Sequence, residues 1–212
     1  MTRGKWWLLG AFGALMAVTW INPLWPAEQA LHSSLTAVAL LALWLSRRRL
    51  DTAQWAWALF FLALHTIAAR WIYSFVPYDG WTDALLGVRM SEAFSWDRNH
   101  FDRLVHFAYG LCLTALLRRK WVRSLEIVLA TSALYELLEW AIAMTLAPGV
   151  AEAYNGQQGD VWDAHADMAL AALGALVTSL ASCARRRSPA ATTRSQAPAT
   201  TPQERPGRAR AR

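Results

Sequence analysis

Apolar positions along the chain fall into six runs, roughly Trp6–Ile21, Ala30–Leu45, Trp55–Val76, Trp96–Leu117, Leu125–Leu146 and Val161–Ala184. Each approaches the about 20 residues that an α-helix needs to cross a bilayer. The first two are short, at 16 residues each, and are expected to extend into their flanks. The pattern predicts an all-α, polytopic membrane protein with six transmembrane helices over residues 1–184. Between the third and fourth runs, residues 77–95 form a sizeable loop in which Thr82–Val88 reads as a short interfacial helix. The loop Ala147–Asp160 is rich in Gly, Asn and Gln, and residues 185–212 are rich in Pro, Ser, Thr, Ala and Arg. That last composition cannot build a core and predicts a disordered tail. No internal repeat is visible.

Basic residues give the orientation. Arg3 and Lys5 precede the first run, Arg47–Arg49 follow the second, Arg118, Arg119, Lys120 and Arg123 follow the fourth, and eight Arg follow the sixth, which places 17 of the 21 basic residues on one side. Arg89, Arg98 and Arg103 lie on the other side, and Arg70 lies within the third run. Positive charge stays inside, so both termini are cytoplasmic. Tryptophans agree: Trp6, Trp7, Trp44, Trp55, Trp57 and Trp121 fall at the inner interface, and Trp20, Trp25, Trp71, Trp81, Trp96 and Trp162 at the outer one. Bulky Trp20, Ile21, Pro23 and Trp25 occupy the place where a signal peptide would need small residues, so the first run reads as a retained helix.

Composition removes other classes. The chain is 55% hydrophobic and 17% charged, against roughly 25% charged in soluble domains. The net charge of +6 is a property of the tail, where eight Arg and one Glu leave the preceding residues near neutral. A nucleic-acid-binding domain needs a basic folded face, and none is present. The tail is suited to contact anionic inner-leaflet lipid. Two Cys, both in apolar runs, exclude a disulfide scaffold.

The runs also carry ionisable residues, which are costly in a bilayer and mark polar interiors. At about 1.5 Å per residue from the cytoplasmic ends, Glu136, Glu139, His106, Asp102, His65, Arg70, His32, Asp167 and Asp163 all lie between the midplane and the outer surface. Asp102, His106 and Tyr109 share one helical stripe, as do Ser132, Glu136 and Glu139, and as do Asp160, Asp163, Asp167 and Gly174. Ala171, Gly174 and Thr178 are small residues that permit close helix approach. The last three spans therefore predict an outward-opening carboxylate–His cluster. Arg70 and Arg103 are expected to offset two of its charges. Three chemistries fit: structural buttressing, a divalent metal site of hard O/N ligands suited to Zn, Mn or Mg, or a pocket that handles protons or a solute. The metal reading takes Asp102, His106, Glu136 and Asp167 as ligands. His106, Glu136 and Asp167 are the acid/base candidates, and Arg70, Arg103, Glu139 and Asp163 the substrate-binding ones.

The segments DRNHFDRLVHFAYG (97–110), ALYELLEW (133–140) and GDVWDAHADMALAALGA (159–175) resemble the YjdF-like family of bacterial inner-membrane proteins, which is defined by a domain of unknown function. More distantly they are similar to VanZ-like proteins, whose pattern falls here on Asp102, Arg103, His106 and Phe107, then Glu136 and Glu139, then Asp163, Asp167 and Gly174. The closer family often has Gln at the position of His165, and the distant one an Asn near Asp167 that this chain lacks. The resemblance implies a bacterial inner-membrane protein with an outward polar pocket and supplies no activity.

No nucleophile motif, phosphate loop or dinucleotide fingerprint is present, so the sequence assigns no reaction class. The expected function is binding or processing of an envelope or lipid-linked component. A small-solute or proton-coupled transporter and a non-catalytic membrane assembly protein are the alternatives. Against the transporter stand the missing repeat and the lack of Gly/Pro-broken helices. Reporter fusions at Leu50, Trp121 and Arg194 are expected to read cytoplasmic, and fusions at Gly80 and Gly156 external. A tail that reads external overturns this orientation.

Overall fold

A computed structural model describes residues 1–146 and 156–187. The expected tail beyond Arg187 and residues 147–155 of the second outer loop lie outside the described residues. Among those described the chain is all-helical: α1 (Arg3–Thr19), α2 (Pro26–Leu45), α3 (Thr52–Arg70), α4 (Tyr78–Leu86), α5 (Met90–Phe94), α6 (Phe101–Leu117), α7 (Trp121–Thr145) and α8 (Asp163–Arg187). Three of these, α3, α7 and the described part of α8, are long and apolar enough to cross a membrane.

Local chemistry sets the helix ends. Pro26 starts α2 where its missing N–H has no partner to lose. Asp51 and Gln54 form a reciprocal capping box at α3. The Gln54 backbone N–H, and after it Arg118, hold the Asp51 carboxyl below its ordinary value. The cap is therefore ionised at neutral pH and is lost only as acid titrates that lowered group. Two basic side chains take up carbonyls at other helix ends, where the dipole is negative. Lys5 Nζ donates to the carbonyls of Arg47 and Leu50 just past α2. Arg70 Nη1 donates to Thr19 O at 2.6 Å and Ile21 O at 3.2 Å, at the end of α1.

Some boundaries differ from the sequence reading. The third run extends to Val76, but α3 ends at Arg70, because Ile72 and Tyr73 adopt left-handed backbone (φ 41° and 59°). That costs about 1–2 kcal/mol per residue. It turns the chain so that the Tyr73 hydroxyl bonds His65 Nδ1 inside the bundle. The fourth run begins at Trp96, whereas α6 starts at Phe101, where Asn99 Oδ1 accepts the Phe101 N–H. The segment between α3 and α6 holds two short helices rather than the one expected. Gly87 ends α4 at φ 67°, and Asp79 then accepts the N–H and hydroxyl of Ser91 in α5.

The helices pack in the order α1 and α2 on α3, α3 on α6, α6 on α8, and α8 on α7. Phe12, Leu43, Trp55, Leu59 and Leu62 form the core of the first group. Val128, Ala171 and Ala175 form that of the last. The outer face of α7 leaves Leu134, Leu137, Trp140 and Met144 each more than half exposed, a continuous apolar surface of the kind lipid solvates.

Where α6 crosses α8, main-chain atoms of the two helices meet. A Cβ built on Gly110 would stand 1.8 Å from Ala171 O, and one on Gly174 would stand 2.1 Å from Phe107 O. Thr178 Oγ1 reinforces the contact by donating to Leu111 O at 3.1 Å. Gly110→Ala and Gly174→Ala are each expected to destabilise the protein by about 1–3 kcal/mol or more, read as thermal unfolding in detergent. Gly13→Ala, which meets nothing within 4 Å, is expected to keep or slightly raise the melting temperature, since alanine favours the helix.

Candidate functional site

Asp102 lies in the first turn of α6 and His106 one turn on; Asp167 lies one turn into α8. The glycine crossing draws these two helix starts together. Asp102, His106 and Asp167 are buried and offer ligand atoms that all lie within 4.8 Å of one another. His106 Nε2 is 3.6 Å from Asp102 Oδ1, and His106 Nδ1 is 4.0 Å from Glu136 Oε1 on α7. These separations are too long for direct hydrogen bonds. Asp167 is 2% exposed, yet its Oδ1 has no hydrogen-bond partner, and neither has the buried Oε1 of Glu136. Glu139 stands beside Glu136 and Tyr135.

Arg98, Arg103, Asp160 and Asp163 form a separate layer at the loop end of α6 and α8. Arg98 Nη1 reaches Asp163 at 2.6 Å and Asp160 at 3.3 Å. Arg103 Nη2 bonds Asp160 and lies 3.5 Å from Asp163. The Trp162 backbone N–H and then the two guanidinium groups hold the Asp160 carboxyl below its ordinary value, so it stays ionised at neutral pH. Asn99 and Gln158 add a reciprocal pair: the Asn99 N–H donates to Gln158 Oε1 at 2.9 Å and Gln158 Nε2 donates to Asn99 O at 3.0 Å. Together they latch the segment 156–160 to the start of α6.

The residues singled out from sequence are thus divided. Asp102, His106, Glu136 and Asp167 come together, with Glu139 adjacent. Arg103 and Asp163 sit in the rim. Arg70 is engaged with the end of α1 and stacks over Trp71. Of the two arginines expected to offset the cluster, Arg70 is therefore spent elsewhere, and Arg103 bonds the rim aspartates next to it. His165 packs edge-on against Trp162. Arg98 is not among the sequence candidates, although it lies in the 97–110 segment that carries the family resemblance.

A cavity of about 220 Å³ adjoins the cluster and shares His106 as wall. His65, Tyr73, Tyr109, Ser132 and Tyr135 also line it, with apolar residues of α2, α3 and α6. Inside it Phe61 and Tyr109 pack with ring centroids 5.4 Å apart. The hydroxyl of Tyr109 donates to Thr131.

The family model described as "Predicted membrane protein (DUF2238)" matches residues 4–188. The Inner membrane protein YjdF of Escherichia coli (strain K12) is 37% identical over 125 residues, covering 53% of this chain and 56% of that protein. The chain thus spans about half the length of this curated relative. No solved structure matches.

Arg98→Gln is expected to raise deuterium uptake of backbone amides at 156–162 and to lower local stability by about 2 kcal/mol, since charged hydrogen bonds are lost. Arg70→Gln should leave that segment unchanged, because its bonds lie at the end of α1.

Proposed function

This chain belongs to the DUF2238 family of membrane proteins, and from its buried carboxylate–histidine cluster we propose that it holds a divalent cation at an outward-facing site of the bacterial inner membrane. The family membership and the name of the Escherichia coli relative support the membrane assignment. In this reading α1, α2, α3, α6, α7 and α8 are six spans with both termini cytoplasmic, as the distribution of basic residues requires.

The observation that carries the proposal is the unpartnered Asp167 Oδ1, buried among Asp102, His106 and Glu136. Four carboxylates (Asp102, Glu136, Glu139 and Asp167) gather about a single imidazole, and the nearest guanidinium groups, Arg98 and Arg103, make their ion pairs with Asp160 and Asp163. Buried charge without a partner is expensive. A divalent ion supplies the missing positive charge and the missing bonding partners in one step. Oxygen and imidazole nitrogen donors suit Mg, Mn or Zn. Asp102, His106 and Asp167 are the ligands, Glu136 is the fourth, and Glu139 orients Glu136.

An ion held by Asp102, His106, Asp167 and Glu136 would supply Lewis acidity toward an anionic group. The function that follows is binding or processing of an anionic, membrane-borne envelope component, with Arg98 and Arg103 at the entrance. His106 and Glu136 are then the groups placed to exchange a proton with what binds.

Purified protein in detergent is expected to bind Mn²⁺ saturably, one ion per chain. Asp167→Asn and His106→Ala each remove a ligand and should weaken binding by more than the roughly ten- to hundred-fold typical of losing an outer-shell partner, with thermal unfolding near wild type. Glu136→Gln keeps shape but not charge and should weaken binding less. Absence of saturable Mn²⁺, Zn²⁺ or Mg²⁺ binding, or wild-type affinity in a folded Asp167→Asn protein, overturns the centre. Loss of folded Asp167→Asn protein together with unchanged metal-free stability of the wild type across chelation assigns Asp167 to structure instead.

A further inference from the structure

The cavity beside the cluster has a definite shape and orientation. Its walls are Leu35, Thr36 and Ala39 of α2, Phe61, Leu62 and His65 of α3, Val105, His106 and Tyr109 of α6, and Thr131, Ser132 and Tyr135 of α7. On α7, Ser132 lies one turn closer to the helix start than Glu136, and on α6 Tyr109 lies nearly one turn beyond His106. The cavity therefore runs from the level of His106 toward the middle of the bundle. α2 packs on α3 and α7 packs on α6 and α8, and no substantial interface joins α2 to α7. α3 and α6 thus form the floor of a trough whose two rims are α2 and α7, and the trough faces sideways.

Three features choose the occupant. First, the lining is mostly apolar, and an apolar cavity does not hold water well. In a membrane protein, what stands beside a lateral opening is hydrocarbon. Second, the volume of about 220 Å³ exceeds the ~150 Å³ of an apolar cavity that accepts benzene, and it suits a segment of one chain, not a pair. Third, Ser132 is 2% exposed, lines the cavity, and its Oγ has no hydrogen-bond partner. A helical serine ordinarily donates to a carbonyl one turn back; this hydroxyl is an unspent donor on an apolar wall. It lies about 6 Å along the helix from Glu136, roughly a glycerol unit from the cation centre. A purely hydrocarbon chain offers nothing to such a donor, whereas an ester carbonyl does.

We infer that this trough receives the acyl chain of an ester-linked lipid phosphate, with its carbonyl on Ser132 Oγ and its phosphate at the carboxylate–histidine centre. This rests on the cation reading for the head group and on the cavity alone for the chain. Entry is lateral, between α2 and α7. The Tyr109–Thr131 hydrogen bond closes the far end. The Tyr73 hydroxyl, tied to His65 Nδ1, lines the wall on the α3 side.

The test uses the full chain in nanodiscs with a lysophosphatidic acid bearing a mid-chain diazirine, followed by peptide mapping of the photo-adducts. Adducts are expected on Leu35, Ala39 and Tyr135. The outward α7 residues Leu134, Leu137 and Trp140 serve as the bilayer reference. Ser132→Ala, which removes one hydroxyl and no packing, should cut cavity labelling about five-fold, the effect of one hydrogen bond. The ether-linked analogue and a farnesyl phosphate diazirine should label weakly and be indifferent to Ser132→Ala. Equal labelling by ester, ether and prenyl probes overturns the ester assignment. Adducts confined to the outward face of α7 overturn the chain site. Mn²⁺ titration of the same samples separates the two readings. Ser132-dependent cavity labelling without Mn²⁺ binding upholds the chain site and overturns the cation centre. Mn²⁺ binding with labelling on the outward face alone does the reverse.

Discussion

Everything in this molecule that concerns the cluster depends on the backbone contact between α6 and α8. Gly110 and Gly174 let the two helices touch with main-chain atoms, closer than any side chain would allow. Close approach of this kind is how membrane helices associate when burial of apolar surface offers little gain. The consequence appears two turns away, where the starts of the same helices bring Asp102, His106 and Asp167 within 4.8 Å. The positive ends of both helix dipoles face that point as well, which favours carboxylates there.

The polar residues are sorted by charge into two layers. The rim is balanced, with two arginines against two aspartates. The layer beneath it holds four carboxylates and one imidazole. A structural network would be expected to complete its own hydrogen bonds. This one leaves a fully buried carboxylate oxygen open, while nearby loops spend arginine and amide groups generously on one another. The rim aspartates are bonded by arginine, whereas Asp167 Oδ1 and Glu136 Oε1 of the layer beneath have no partner.

Much of the architecture was legible in the sequence. Apolar runs located the six long helices, since composition and length decide helix existence in such chains. Spacing of i and i+4 placed Asp102 with His106, and helical phase placed Asp167 on the same stripe as Gly174. Less legible were the partners. Arg70 sits at cluster depth, but depth along an axis says nothing about azimuth, and its guanidinium serves the carbonyls of Thr19 and Ile21. Arg98 pairs across more than 60 residues of sequence with Asp160 and Asp163, a contact no local pattern encodes. The break at Ile72 and Tyr73 contradicts the propensity of a β-branched residue for φ below zero. Tertiary bonding of Tyr73 to His65 overrides it.

That break ties the two halves of the bundle to one cavity. Were α3 continuous to Val76, Tyr73 would point along its own helix stripe instead of folding back onto His65. By turning there, the chain places a tyrosine hydroxyl, His65 and His106 around the same space. His106 faces the carboxylates on one side and the cavity on the other, so a ligand filling the cavity changes the surroundings of a cluster residue directly. Left-handed backbone at two consecutive non-glycine residues persists only where surrounding contacts over-determine it. Here the contact it secures, Tyr73 on His65, forms part of the cavity wall.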